Sequence, residues 1–154
     1  MLAFYRNLAK LTRTASKLAG KKGTDLPGKV LRKVNDNVLT KLAGDFDEIV
    51  FVTGTNGKTT TTQMTYDILK KANKDVFLAG NIGYPSIEVA YNHPKSLIVT
   101  EVSSFQLEGT KYFKPSIAVI TNLGEGHLDY HGNLENYQNA KKKIYVNQTK
   151  DDFL

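Results

Sequence analysis

Gly54-Thr55-Asn56-Gly57-Lys58-Thr59 places two glycines, a lysine and a hydroxyl within six residues, the set of groups that holds a polyphosphate. Glycines let the backbone curl so that successive N–H groups converge on phosphate oxygens. The N-terminus of a following helix adds partial positive charge. Lys58 supplies a full charge, the Thr59 hydroxyl can hold Mg²⁺, and Thr60 continues into the helix start. The longer pattern G-x-x-x-x-G-K-[ST] would put its first glycine at position 52, where the chain has Val52, so this is a shorter variant of the loop. Gly-Lys-Thr alone is a weak signal, and the flanks give it meaning. The β-branched run Ile49 to Val52 predicts a buried strand that stops at Gly54, and the residues from Thr59 onward predict a helix. The ligand this implies is a nucleoside triphosphate with Mg²⁺.

The rest of the chain alternates apolar runs with helical patterns. Strands are predicted at about 48–53, 75–79, 96–102 and 116–121, and helices at about 58–72, 84–91 and 133–148. Such alternation defines an α/β protein with a mostly parallel sheet flanked by helices. Ligands in open parallel sheets sit beyond the carboxyl ends of the strands. There the chain carries Gly80-Asn81-Ile82-Gly83, then Glu101-Val102-Ser103-Ser104-Phe105-Gln106-Leu107, then the run from Thr121 and Asn122 through Glu125 and His127 to Gly132. Singly, a strand-end Glu is usually a solvated or paired carboxylate, and a single His a surface or hydrogen-bonding residue. Together at the edge that holds Lys58 and Thr59 they suit a magnesium–phosphate site, with carboxylate and imidazole for metal and amides and hydroxyls for an acceptor.

Length and composition bound the alternatives. The 154 residues suffice for one domain with a core, and the absence of cysteine excludes disulfides and Cys-ligated zinc and fits the cytoplasm. No apolar run approaches the roughly 20 residues needed to span a bilayer. The formal charge of +6 is uneven. Residues 1–44 hold 10 Lys/Arg against 2 Asp/Glu, and residues 45–154 hold the remaining 11 against 13. In the N-terminal segment Phe4, Leu8, Leu11, Ala15 and Leu18 recur at helical spacing, with Arg6, Lys10, Arg13 and Lys17 mostly elsewhere. A basic amphipathic helix over residues 1–20 can lie on an anionic membrane surface, but packing of its stripe on the rest of the protein is the favoured reading. Charges interrupt any secretory signal core, and a basic segment alone is no nucleic-acid-binding fold, so no nucleic-acid partner is expected. Gly20 to Gly28 reads as a loop and about 29–42 as a second helix. The expected organisation is a basic helical segment, 1–47, followed by a nucleotide-binding unit, 48–154.

Gly54-Thr-Asn-Gly-Lys-Thr, Gly80-Asn-Ile-Gly, Glu101-Val-Ser-Ser-Phe-Gln-Leu and His127-Leu-Asp-Tyr-His-Gly, in that order, resemble the central ATPase domain of the Mur ligases over roughly residues 48–154. The likeness is greatest to the D-glutamate-adding branch. It implies a reaction in which ATP phosphorylates a substrate carboxylate and an amino-acid amine displaces phosphate from the acyl phosphate, with catalysis mainly by positioning and charge neutralisation. The implied partners are a UDP-linked muramoyl-alanine substrate and D-glutamate, and the cofactors are ATP and Mg²⁺. By the resemblance, residues 54–60 bind the nucleotide, with Lys58 on the β/γ-phosphates. Thr59 and Glu101 serve one Mg²⁺ and His127 a second. Asn81, Ser103 and Gln106 face the muramoyl substrate. Lys141 matches a carbamylated lysine whose new carboxylate helps hold magnesium, a chemistry that needs a neutral amine. Without the resemblance Lys141–Lys143 reads as a solvated helix face.

Two departures qualify this. Residues 1–47 are too short for the UDP-gripping domain of that branch, and Ala15 to Gly28 resembles instead the amidating branch of the family. That branch carries a cysteine-ligated zinc ribbon, absent here, and would imply a glutaminase subunit as partner. The chain also stops at Leu154, before the remaining sheet and the amino-acid-binding domain such ligases have. It therefore reads as a join of two related sequences or as a truncated or designed piece. The 154 residues alone are expected to bind Mg-ATP without turnover. A P-loop kinase or GTPase is disfavoured, since the chain has no guanine-reading Asn-Lys-x-Asp string.

Overall fold

The computed structural model describes residues 48–154 throughout, together with Phe4, Asn7, Leu8, Leu11, Thr12, Thr14, Ala15, Leu18 and Ala19. Four apolar runs become strands: β1 (Ile49–Thr53), β2 (Val76–Gly80), β3 (Leu97–Glu101) and β4 (Ile117–Ile120). They form one parallel sheet in the order β2-β3-β1-β4. Five helices accompany them among the residues from 48 onward: α1 (Lys58–Lys71), α2 (Ser86–Asn92), α3 (Ser104–Glu108), α4 (Leu128–His131) and α5 (Leu134–Lys142).

Successive strand side chains point to opposite faces, so a wholly apolar strand must be covered on both. On one face Val50, Val52, Val76 and Val99 meet Tyr66 and Leu69 of α1. On the other, Ile49, Phe51, Ile98 and Ala118 meet Val89 of α2, Leu107 of α3 and Ile144 after α5. Phe113 closes edge-on against Phe51, with ring centroids 4.5 Å apart. Each such aliphatic side chain, once fully buried, contributes about 1.5–3 kcal/mol. The central position of β1 matters for function. Its Val52 lies in register with Glu101 of β3 and its Thr53 with Ile120 of β4, so the loop after β1 emerges between Glu101 and Thr121.

Each predicted strand is present within two residues at either end. The helix expected from 84 begins at Ser86, because Pro85 holds an extended conformation as its N-cap. The helix expected over 133–148 ends at Lys142. Beyond it the Ile144 and Tyr145 N–H groups donate to carbonyls three residues back, and the side-chain amide of Asn147 donates to the Lys111 and Phe113 carbonyls. The chain is thereby pulled out of the helix and tied to the β4 approach. Helices α3 and α4 were not expected. At the outer edge of β4 the Ala118 N–H donates to Phe153 O and the Phe153 N–H to Ser116 O, a one-residue parallel bridge. In the N-terminal segment Phe4, Leu8, Leu11, Thr12, Ala15 and Leu18 are helical, as expected. Leu11 and Leu18 are nevertheless 72% and 85% exposed, so the expected packing of the stripe on the body is not seen at these two residues. The predicted loop 20–28 and helix 29–42 lie outside the described residues.

Candidate functional site

The site is assembled at the carboxyl ends of β1, β2 and β3. Gly54 and Gly57 take φ of +147° and +79°, which L side chains rarely adopt, and Gly57 is the N-cap of α1. A Cβ on Gly54 would stand 1.9 Å from Thr121 Oγ1, so the loop packs directly on the end of β4. The Thr61 N–H is the first in α1 to reach a helical carbonyl, that of Gly57 at 2.9 Å. Gly57, Thr59 and Thr60, just before it, are exposed, and the first N–H groups of a helix have no helical carbonyl to reach.

Glu101 organises the next layer. It is 2% exposed, its Oε2 accepts from the Thr59 hydroxyl at 2.7 Å, and its Oε1 accepts from the Asn81 amide at 2.8 Å. Asn81 is held there because its N–H donates to Glu101 O, while Gly80 lets β2 approach: a Cβ at Gly80 would lie 2.2 Å from the same carbonyl. Thr59, Asn81 and Glu101, 42 residues apart at most in sequence, thus form one contiguous set.

Two ammonium groups flank the loop. Lys58 Nζ donates to Thr55 O at 3.0 Å, and Lys141 Nζ to Gly54 O at 2.7 Å. Lys141 is 2% exposed and lies 4.5 Å over the Tyr137 ring. Burial, and secondarily the charge of Lys58, lower its pKa from 10.5 to about 8. Lys141 thus does not lie on the solvated face that the residues read without the resemblance would give; it points inward from α5 onto the loop.

The other side chains named from the sequence have distinct surroundings. Ser103 and Gln106 pair with each other in a capping box at the start of α3: the Ser103 N–H donates to Gln106 Oε1 at 2.8 Å and the Gln106 N–H to Ser103 Oγ at 3.4 Å. His127 is exposed, takes φ of +52° at the N-cap of α4, and sets its ring edgewise to Phe105 at 4.9 Å. Its other ring neighbour is Tyr137, at 6.1 Å between centroids, whose hydroxyl reaches Thr55 Oγ1 at 3.4 Å.

Sequence reasoning left three residues without a role. Asn122 Oδ1 accepts from the N–H groups of Thr55 and Asn56 at 3.1 and 3.0 Å, and its Nδ2 donates to Asn56 O at 2.9 Å. Thr121 Oγ1 donates to the same carbonyl at 2.6 Å. Tyr137 links Thr55 to Lys141. Their one advance signal was position, since Thr121 and Asn122 follow a predicted strand. Farther out, buried His131 sets Nε2 3.1 Å from Ser104 Oγ.

The donor set fits the implied groups. Mg²⁺ takes hard oxygens and usually only one or two from protein, the rest coming from phosphate and water. Thr59 Oγ1 and Glu101 Oε2 are such a pair, beside the Lys58 ammonium, which suits a polyphosphate. Among the described residues no three His, Asp or Glu side chains are grouped for a metal ion. Also among the described residues, no helix is long and apolar enough to cross a membrane.

A parallel α/β sheet with a glycine-rich loop between an inner strand and a helix is the architecture of a class of nucleotide-binding domains. Within it, residues 52–154 match the Mur ligase middle domain, and the chain belongs to the Mur ligase family. It is 57% identical over 107 residues to UDP-N-acetylmuramoylalanine–D-glutamate ligase of Staphylococcus aureus (strain JH9), a match that takes in 69% of this chain and 24% of the relative. The same identity and coverage hold for that ligase from strain Newman. The chain thus spans about a quarter of the length of these curated relatives. Among solved structures it is similar to MurF ligase from Thermotoga maritima in complex with ADP, with a TM-score of 0.56 and 26% identity over 82% of this chain and 31% of that one. The likeness of residues 15–28 to the amidating branch falls outside the matched residues 52–154 and almost wholly outside the described ones.

Proposed function

We propose that this chain supplies the ATP-binding part of an amide-bond ligase of peptidoglycan precursor synthesis, of the type that adds D-glutamate to UDP-N-acetylmuramoyl-L-alanine in the cytoplasm. The observation that carries the reading is the junction of Thr59, Asn81 and Glu101 beside Lys58, with three strand ends converging on one loop. The 57% identity to the D-glutamate ligases supports the choice of branch.

In the proposed reaction an oxygen of the acceptor carboxylate attacks the γ-phosphorus of ATP, and the bond to the β-phosphate oxygen breaks to release ADP. The amine of D-glutamate then attacks the acyl carbon, the carbon–oxygen bond to phosphate breaks, and a proton leaves the nitrogen. Loop N–H groups and Lys58 hold the triphosphate, and Thr59 and Glu101 would hold Mg²⁺, which neutralises phosphate charge when bound. His127, whose backbone is left-handed, would serve a second ion. Ser103, Gln106 and Asn81 are assigned to the acceptor, Ser103 and Gln106 through atoms beyond those engaged in their capping box. The lowered pKa of Lys141 supports its conversion to a carbamate, because a larger share of its amine is neutral near pH 8.

Calorimetric titration with Mg-ATP tests the reading. The parent chain shows saturable binding, and Lys58→Ala lowers the affinity at least tenfold, about 1.4 kcal/mol, close to the lower end of what a hydrogen bond to a charged group contributes. Equal affinities in parent and variant would show that the loop is not the nucleotide site. Phosphate release that requires both UDP-N-acetylmuramoyl-L-alanine and D-glutamate would carry the assignment on to the full reaction.

A further inference from the structure

We infer that Asn122 is a positioning residue that occupies two of the phosphate loop's own amides, those of Thr55 and Asn56, and leaves the N–H groups of residues 57–60 to face a nucleotide. The inference rests on the nucleotide-binding reading of the loop and assigns that site's ligand-facing donors.

A loop of this kind is usually regarded as a curl of backbone amides that all converge on phosphate. Here those of Thr55 and Asn56 are already spent. Asn122 Oδ1 receives the N–H groups of Thr55 and Asn56 together, at 3.1 and 3.0 Å, as a phosphate oxygen would. The same amide returns a hydrogen bond, Nδ2 to Asn56 O at 2.9 Å, so the contact is reciprocal and fixes the loop in both directions. Thr121 Oγ1 meets the same carbonyl at 2.6 Å, and Gly124 N–H holds Thr55 Oγ1 at 3.0 Å. The segment 121–124 therefore grips residues 55–56 along their length. Gly57, Thr59 and Thr60 lie past that grip and are exposed. Their N–H groups, with that of Lys58, belong to the N-cap and first turn of α1 and precede the first helical donor, Thr61. The short loop thus replaces part of a longer loop's ligand shell with an internal amide. It is shaped before ligand arrives, and nucleotide binding need not order it.

Amide hydrogen exchange by NMR on the full chain tests this, with and without Mg-ATP. Without nucleotide, Thr55 and Asn56 exchange more slowly than Gly57, Thr59 and Thr60. Mg-ATP slows the second group and leaves the first unchanged. In Asn122→Ala the Asn56 amide loses its protection. Thr55 keeps part, because its N–H also reaches the Asn122 backbone carbonyl at 3.2 Å. Val52 and Val99 in the sheet stay protected, which separates a loop effect from unfolding, and Mg-ATP affinity falls about tenfold. Asn122→Asp retains the acceptor and so restores protection at Asn56, yet still weakens triphosphate binding through its added negative charge. Unprotected Thr55 and Asn56 in the parent, or a gain of protection there with Mg-ATP, would overturn the inference while leaving the nucleotide site standing. Absence of slowing at every loop amide would overturn the nucleotide reading instead, and the nucleotide-free rates at Thr55 and Asn56 would still decide the role of Asn122.

Discussion

Burying a lysine ammonium beside a second lysine is unfavourable, and Lys141 is placed in this way, with its pKa lowered to about 8 by burial and by Lys58. The unfolded chain binds this proton up to about pH 10.5, so between about 8 and 10.5 the unfolded state holds more protons than the folded one. Stability then rises with pH across that window, and below it the whole cost of the buried charge is felt. Chemical denaturation of the parent and Lys141→Met at pH 7.5 and pH 10 checks this: the difference between them moves in the parent's favour at the higher pH, and a constant difference would refute the burial argument. The same pair tests the carbamate. A ¹³C-bicarbonate-derived carbamate resonance is expected in the parent and lost in Lys141→Met.

Among the elements, α3 shows how a short helix is fixed by its ends. Five residues cannot hold a helix by propagation alone. The capping box of Ser103 and Gln106, with Leu107 anchored at 1% exposure, supplies the rest. Ser103→Ala should cost about 1 kcal/mol of stability, and Ser103→Asp, which keeps an acceptor at the N-cap, should recover most of it. Equal losses in urea denaturation of both variants would mean that the cap is not what holds α3. This locality also explains what the sequence disclosed. The strands were legible because β-branched runs such as Ile49 to Val52 carry their signal within five residues, and α1 because a glycine-rich loop marks its start. Helices α3 and α4 were not, since one depends on a cap and the other on a left-handed turn at His127, both shorter than any periodicity. The end of α5 was overshot because the side-chain amides that end it act on carbonyls more than 30 residues away. In the site, Lys58, Thr59, Asn81 and Glu101 stood out by type at strand ends. Asn122 was visible only by its position after a strand and Tyr137 not at all, because their partners in the loop lie 66 and 82 residues off and spacing cannot reveal such pairs.

For the whole molecule, stability rests on two apolar layers that share one sheet. Ile98, in the strand between β1 and β2, is 1% exposed and belongs to the layer that includes Leu107 and Ile144. Ile98→Ala should lower stability by about 2–5 kcal/mol, whereas Ile68→Ala, at a position 64% exposed, should stay within about 0.5 kcal/mol. A similar midpoint shift for both in urea would contradict the layer description. The clamp on the loop has a further consequence, in time rather than space. Asn56 and the Asn122 side chain that shapes it are separated by 66 residues. During synthesis at roughly 5–20 residues per second, the loop leaves the ribosome several seconds before its template does. A nascent chain therefore displays the glycine-lysine-threonine signature well before it can present it as a formed cradle. On the proposed reading of the loop, nucleotide capture would be a late event that reports the docking of β4.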